Sequence, residues 1–177
     1  MRSTPPTDLS SAAVPPIGPD DHVRGEGPEA ILYMDLACPA CAKTWLAVRD
    51  LPLRLCVRHF PLASKRPRSP ALQAAAEAAG RQRPEAFWGL VDSIYADHGH
   101  IDDPHLWARA ETLGLDLSRF ERDRRSDEVA ARVRRDFESG IRGAVTGTPT
   151  AFVDGEQVSR DVGARLAALA TSPNPEA

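Results

Sequence analysis

The chain has 177 residues, of which 42% are hydrophobic, three cysteines and a formal net charge of −3. That is enough apolar content for one packed domain, with room for an insertion. It leaves no basic excess to recommend a nucleic-acid partner, no run near the ~18 apolar residues that cross a bilayer, and too few cysteines for a disulfide scaffold. At the start, Arg2 precedes no apolar segment, and Pro15 and Pro16 interrupt the only mildly apolar piece. The expectation is therefore no secretory signal, no membrane association and a cytoplasmic location.

Residues 1–20 are rich in Pro, Ser and Thr without periodicity and read as a disordered N-terminal arm; residues 171–177 read as a disordered tail. "DHVRG" (21–25) is the only, weak candidate for a first strand. "AILYMDL" (30–36) is a short apolar run, read as a buried strand. Cys38-Pro39 follows, with proline suited to the first position of a helix over about 39–50. "PLRLCVRHF" alternates, placing Leu53, Leu55, Val57 and His59 on one face and Arg54, Cys56, Arg58 and Phe60 on the other. The spacing predicts a strand with one wetter side, near a sheet edge. Strand, helix and strand in ~30 residues make a βαβ unit with parallel strands.

From 69 to about 142 the pattern is helical. Ser69, Asp103 and Ser118 read as N-caps, the first two followed by proline. Phe87, Val91, Ile94 and Tyr95 form one apolar stripe. Val129, Val133 and Phe137 form another at i, i+4, i+8. "TPTAFVDG" and "EQVSR" predict a hairpin turning at Asp154-Gly155. A last helix over about 161–170 turns Leu166 and Leu169 inward.

Two cysteines stand at spacing C-x-x-C, Cys38 and Cys41, at the start of the first helix. Unpaired N–H groups and the macrodipole there favour a thiolate, which is the nucleophilic form. Cys41 lies one turn deeper on the same face. The pair can close a disulfide or carry out exchange, with Cys38 attacking and Cys41 resolving. "TGTPT" (146–150) places Pro149 at the entry to a strand; a cis Thr148–Pro149 bond would set the Thr148 backbone beside the sulfur, open to an extended substrate.

"CPAC" after a strand, "RHFPL" on the next, "FWGLVDSIYADHG" and "LGLDLSRFERD" in a helical block, then "VTGTPTAFVDG" together resemble the DsbA-like branch of the thioredoxin superfamily, over roughly residues 28–170. The resemblance implies an α/β thioredoxin-like fold, with residues 21–64 and 144–170 forming it and residues 65–143 an inserted helical domain. It implies a thiol–disulfide oxidoreductase in which Cys38 is the nucleophile, Cys41 the resolving thiol and Pro149 a cis-proline facing them. Thr148, Pro149, Pro39 and Ala40 would then meet the substrate. The expected cofactor is none beyond a redox-active Cys38–Cys41 disulfide. The expected partners are a protein or small-molecule disulfide or dithiol and a further, unidentified redox partner.

Two departures from that family stand out. Where many relatives carry an acid six positions before the first cysteine, this chain has Leu32; Asp35, three before Cys38, is not expected to reach Cys41. Ala40 cannot act on the thiolate as a histidine there could, so strong oxidising power does not follow. The alternative is a redox-silent binding module on the same fold. A zinc site through Cys38, Cys41, Cys56 and His59 has suitable ligand types. It fails on geometry, because positions 56 and 59 of one strand point to opposite faces. Cys56 reads as a small core residue. His98, His100 and His105 read as a polar loop, "SKRPR" (64–68) as a solvated hinge, and Phe87, Trp88 and Tyr95 as the core of the helical block.

Overall fold

The computed structural model describes residues 13–172. Five strands form one mixed sheet in the order β1-β3-β2-β4-β5. They are β1 His22–Arg24, β2 Glu29–Met34, β3 Arg54–His59, β4 Thr150–Val153 and β5 Glu156–Val158. β2 and β3 are parallel, joined through α1, Pro39–Val48. β1 runs antiparallel to β3, β4 to β2, and β5 to β4. Between β3 and β4 lie α2 Ser69–Gln82, α3 Pro84–Ala96, α4 Asp103–Thr112, α5 Leu117–Asp123 and α6 Asp127–Arg142; α7, Val162–Thr171, closes the chain. In the β4–β5 turn Asp154 and Gly155 both adopt positive φ, 51° and 79°, the conformation that suits a two-residue hairpin to sheet twist.

The two faces of the sheet are covered differently. Leu32, Met34, Leu55, Val57, Ala151 and Val153 turn to one side, into a single core with Trp45 of α1, Leu72 and Ala76 of α2, Phe87 and Ile94 of α3, and Leu166 of α7. The helical block thus has no core separate from the sheet's: Trp88 stacks on Trp45 with ring centroids 5.7 Å apart, and Phe87 stacks on His22 at 3.6 Å. The aromatics read as the interior of an insertion are the seam between it and the sheet.

The other face carries Tyr33, Phe60 and Phe152, packed with Val145, Phe137 and Val14. α6 approaches closely here: a Cβ on Gly140 would lie 2.7 Å from Phe60 Cδ2. This is the side of β3 expected to be wet, and it is not: Cys56 and Arg58 are buried. The strand does lie near the sheet edge, one in from the short edge strand β1. The covering comes from α6 and from residues 13–21. Arg58 donates to Asp21 at 2.8 Å and to the Pro16 carbonyl at 3.0 Å. Of the segment read as a disordered arm, residues 13–20 are therefore placed by a buried guanidinium, because a charge at position 58 has to be paired out of water; residues 1–12 lie outside the described residues, as do 173–177.

The helix starts also differ by a residue or two from expectation. The caps are Asp102, accepting from His105 N, Asp116, accepting from Arg119 N, and Ser126, accepting from Val129 N. Ser69 is not a cap; its hydroxyl is used elsewhere.

Candidate active site

β2 ends at Met34, and a tight turn delivers Cys38 to the N-cap position of α1, with Cys38 N donating to Asp35 O at 3.0 Å. Pro39 takes the first helical position, and Pro39 and Ala40 are exposed. Cys41, three residues on, is fully buried. Across from them the Thr148–Pro149 peptide bond is cis, and the Cys38 thiol donates to the Thr148 carbonyl at 3.6 Å. Beside this contact runs a groove of about 690 Å³, lined by Ala40, Lys43, Thr44, Thr148, Pro149 and Asp161 among others. The structure thus brings together all six residues singled out in the sequence: Cys38, Cys41, Pro39, Ala40, Thr148 and Pro149.

The two thiols are driven apart electrically. Cys38 is lowered from 9.0 to about 5, chiefly because the Cys41 thiol hydrogen-bonds to it. That outweighs the opposing effect of its burial; the Cys41 backbone amide, Thr148 and the Arg66 charge add to the lowering. Cys41 is pushed well up, first by burial and then by the Cys38 sulfur beside it. A thiolate is the reactive form, so one sulfur is charged at neutral pH and the other is held protonated.

Thr148 contributes by its side chain too. Its buried Oγ1 has no hydrogen-bond partner among the described residues, and it favours the anion on both sulfurs. A buried hydroxyl left unpaired is costly, and a thiolate is the partner it is placed to serve. Thr148→Val keeps the shape and removes the donor. It is expected to raise the Cys38 pKa by about one unit, read from the pH profile of iodoacetamide alkylation; an unmoved midpoint would show the hydroxyl to be idle.

Asp35 is the feature the sequence reading underrated. Its carboxylate is fully buried. One oxygen accepts from Ala37 N at 2.9 Å. The other accepts from Leu62 N at 3.1 Å, Arg66 at 3.3 Å and the Ser69 hydroxyl at 2.8 Å. Its backbone N–H points at Cys41 Sγ, 3.5 Å away. Asp35 does reach the second cysteine, by its amide rather than its acid; Leu32 is simply core.

Arg66 and Arg68, read as a solvated hinge, are both engaged, Arg68 on Ile101 O at 2.8 Å and Asp103 at 2.9 Å. From the helical block Tyr95 donates to the Asp35 carbonyl at 3.2 Å, and the His98 ring meets the Leu36 carbonyl at 3.0 Å. Residues 35–38 are therefore clamped from the helical side as well as by the sheet. No local pattern announces such long-range partners; the one available signal was an acid and a basic run flanking the same βαβ unit.

The DSBA-like thioredoxin domain family matches residues 43–169 of the chain. Among solved structures, the thiol-disulfide exchange protein alpha-DsbA2 of Wolbachia pipientis superimposes with a TM-score of 0.72 at 14% identity, over 83% of this chain and 84% of that one. A thioredoxin-like oxidoreductase of Silicibacter pomeroyi gives 0.69 at 23% identity, over 86% and 91%. A protein named Na(+)/H(+) antiporter NhaA 1 of Salinispora arenicola is 38% identical over 151 residues, covering 80% of this chain and 23% of that protein. One named Na(+)/H(+) antiporter NhaA of Herminiimonas arsenicoxydans is 35% identical over 168 residues, covering 89% and 26%. The chain thus spans about a quarter of the length of these curated relatives. The solved structures share its fold, and on the family match the chain belongs to the DSBA-like thioredoxin domain family.

Proposed function

We propose that the protein is a thiol–disulfide oxidoreductase working through Cys38-Pro39-Ala40-Cys41. The single observation that carries this is the division between the two thiols, Cys38 lowered to about 5 and Cys41 pushed well up. The Cys38 thiolate attacks one sulfur of a substrate disulfide, bonds to it and expels the other as a thiolate. Cys41 then loses its proton and attacks Cys38 Sγ. The Cys38–Cys41 disulfide forms and the second substrate thiolate leaves, so two electrons pass from protein to substrate. The same steps in reverse oxidise a dithiol, and an external dithiol or disulfide closes the cycle.

Substrate would lie along the groove at Thr148-Pro149. Cys38 is 1% exposed, and its thiol donates to the Thr148 carbonyl. As the thiolate it has no hydrogen to donate, and the Thr148 carbonyl is left free to accept an N–H from an extended substrate strand. Asp35 N–H is placed to stabilise the Cys41 thiolate of the resolving step. Ion transport is not carried over from the relatives named as antiporters, because the chain matches only 23% and 26% of their length. A redox-silent binding module would leave Cys38 near the ordinary thiol value, which the lowered value speaks against.

The test is insulin reduction with a dithiol donor. Wild type is expected to turn over and Cys38→Ser to fall to the uncatalysed rate; equal rates would remove the enzyme.

A further inference from the structure

Outside the chemistry proposed for the thiol pair, three ligand-type side chains converge. His22 stands on β1, His59 at the end of β3 and Glu77 in the middle of α2. Both imidazoles present Nε2 to the same oxygen, Glu77 Oε1, each at 2.6 Å. The three atoms lie within 4.8 Å of one another.

The hydrogen bonds around His59 fix its tautomer. Gln73 Nε2 donates to the Met34 carbonyl at 3.0 Å, which can only accept. The Gln73 oxygen is thereby turned to His59 Nδ1, 2.9 Å away, so Nδ1 carries a hydrogen. In neutral His59, Nε2 is then a bare lone pair aimed at a carboxylate oxygen. Something positive has to sit between them, and His22 aims a further nitrogen at the same point. That positive charge is either protons or a metal ion.

We propose that His22, His59 and Glu77 form a binding site for a divalent transition-metal ion of the zinc type. Two histidine nitrogens and one carboxylate oxygen, with a fourth position for water, are a zinc ligand set. The His59–Gln73 bond is the outer contact that orients a ligating imidazole and supports its basicity. Phe87, stacked on the His22 ring at 3.6 Å, holds the second ring plane. The His22 side chain is 21% exposed, which gives the ion a way in and the water a place. Metal–ligand bonds of about 2.0–2.1 Å put neighbouring ligand atoms roughly 3.3 Å apart. Each 2.6 Å pair then opens by about 0.7 Å, a shift that side-chain torsions of Glu77 and His22 can supply. Arg132 stands 4.0 Å from Glu77 Oε1, and its charge is matched by Asp136, which also accepts from His59 N at 3.1 Å. This set differs from the cysteine-based zinc site considered from the sequence: it shares only His59, and it contains no sulfur.

The thiol pair is removed as a competing ligand by working in Cys38→Ser/Cys41→Ser protein. Cys56 can stay, since burial raises it to about 12 and keeps it protonated. Zinc is titrated calorimetrically near pH 7.5, and cobalt is followed by its visible ligand-field bands. One ion per chain is expected, with proton release and cobalt bands of a four-coordinate nitrogen–oxygen site. Adding His22→Ala, at the exposed edge of the cluster, is expected to weaken binding more than about tenfold. His22→Gln, which keeps the bulk against Phe87, should do the same and guards against a folding defect. Absence of binding up to about 100 µM metal would overturn the site and leave protons alone holding the cluster. Binding unchanged in both His22 variants would overturn it as well.

Discussion

Cys41→Ala is expected to move the pH at which Cys38 becomes reactive upward by more than a unit from its value of about 5, while Cys41→Ser leaves it within about a unit of wild type. The Cys41 thiol is the largest cause of the lowering, and a serine hydroxyl can still donate where a methyl cannot. The midpoint of the alkylation profile is the quantity to measure. The rate at pH 7 is a poor reporter: a return to 9.0 would cut the thiolate to about 1%, but a more basic thiolate is intrinsically faster by a comparable factor, with a Brønsted slope of about 0.4–0.5. Both variants lose resolution, so both should accumulate a mixed disulfide at Cys38. If alanine and serine gave the same midpoint, the thiol–thiol hydrogen bond would not be the source of the acidity.

The same shift has a sign for stability. A thiol whose folded value lies below its unfolded one favours the folded reduced protein. That contribution is complete above the unfolded value near 9 and disappears as pH falls through about 5. The stability margin of reduced over oxidised protein should therefore shrink across that window.

Asp35→Ala is expected to cost about 3–5 kcal/mol in urea unfolding of the reduced protein, the range for removing one member of a buried charged network. Ala37 N, Leu62 N and the Ser69 hydroxyl each lose an acceptor away from water. At about 2–4 °C per kcal/mol for a chain of this size, melting falls by roughly 6–20 °C. Arg66→Ala should cost only about 1 kcal/mol, since that side chain is 26% exposed and contributes one bond of several. A loss under about 1 kcal/mol for Asp35→Ala would mean that the clamp on residues 35–38 is made by Tyr95 and His98 rather than by the carboxylate.

The βαβ unit around the cysteines was legible because its signals are local. An apolar run, a proline at the first helical position and an alternating strand each declare themselves within ten residues. The hairpin at Asp154-Gly155 was legible for the same reason. The helix caps were misplaced by a residue or two where several polar side chains stood in a row, since Asp102 and Asp103 are equally good caps on paper. The failure at β3 is of another kind. Alternation shows which side chains share a face, but not what will cover it. Arg58 read as wet because its partner Asp21 lies 37 positions away, and nothing local showed that His59 would meet Gln73 and Glu77, 14 and 18 positions on. Asp35 was undervalued on the same account: a carboxylate has value at a buried site only through donors, and three of its four come from Leu62, Arg66 and Ser69 in the following connection and helix.

The Cys38 sulfur and its acceptor at Thr148 are separated by 110 positions, and β2 cannot gain β4 until the whole five-helix block has been made. During translation, N-terminal segments emerge first and can form only the contacts available to them. For most of that time a nascent chain has its two thiols made but lacks the strand that caps them. Until Thr148 has emerged Cys38 lacks the carbonyl it faces, and that later stretch is what turns an open dithiol into a governed one.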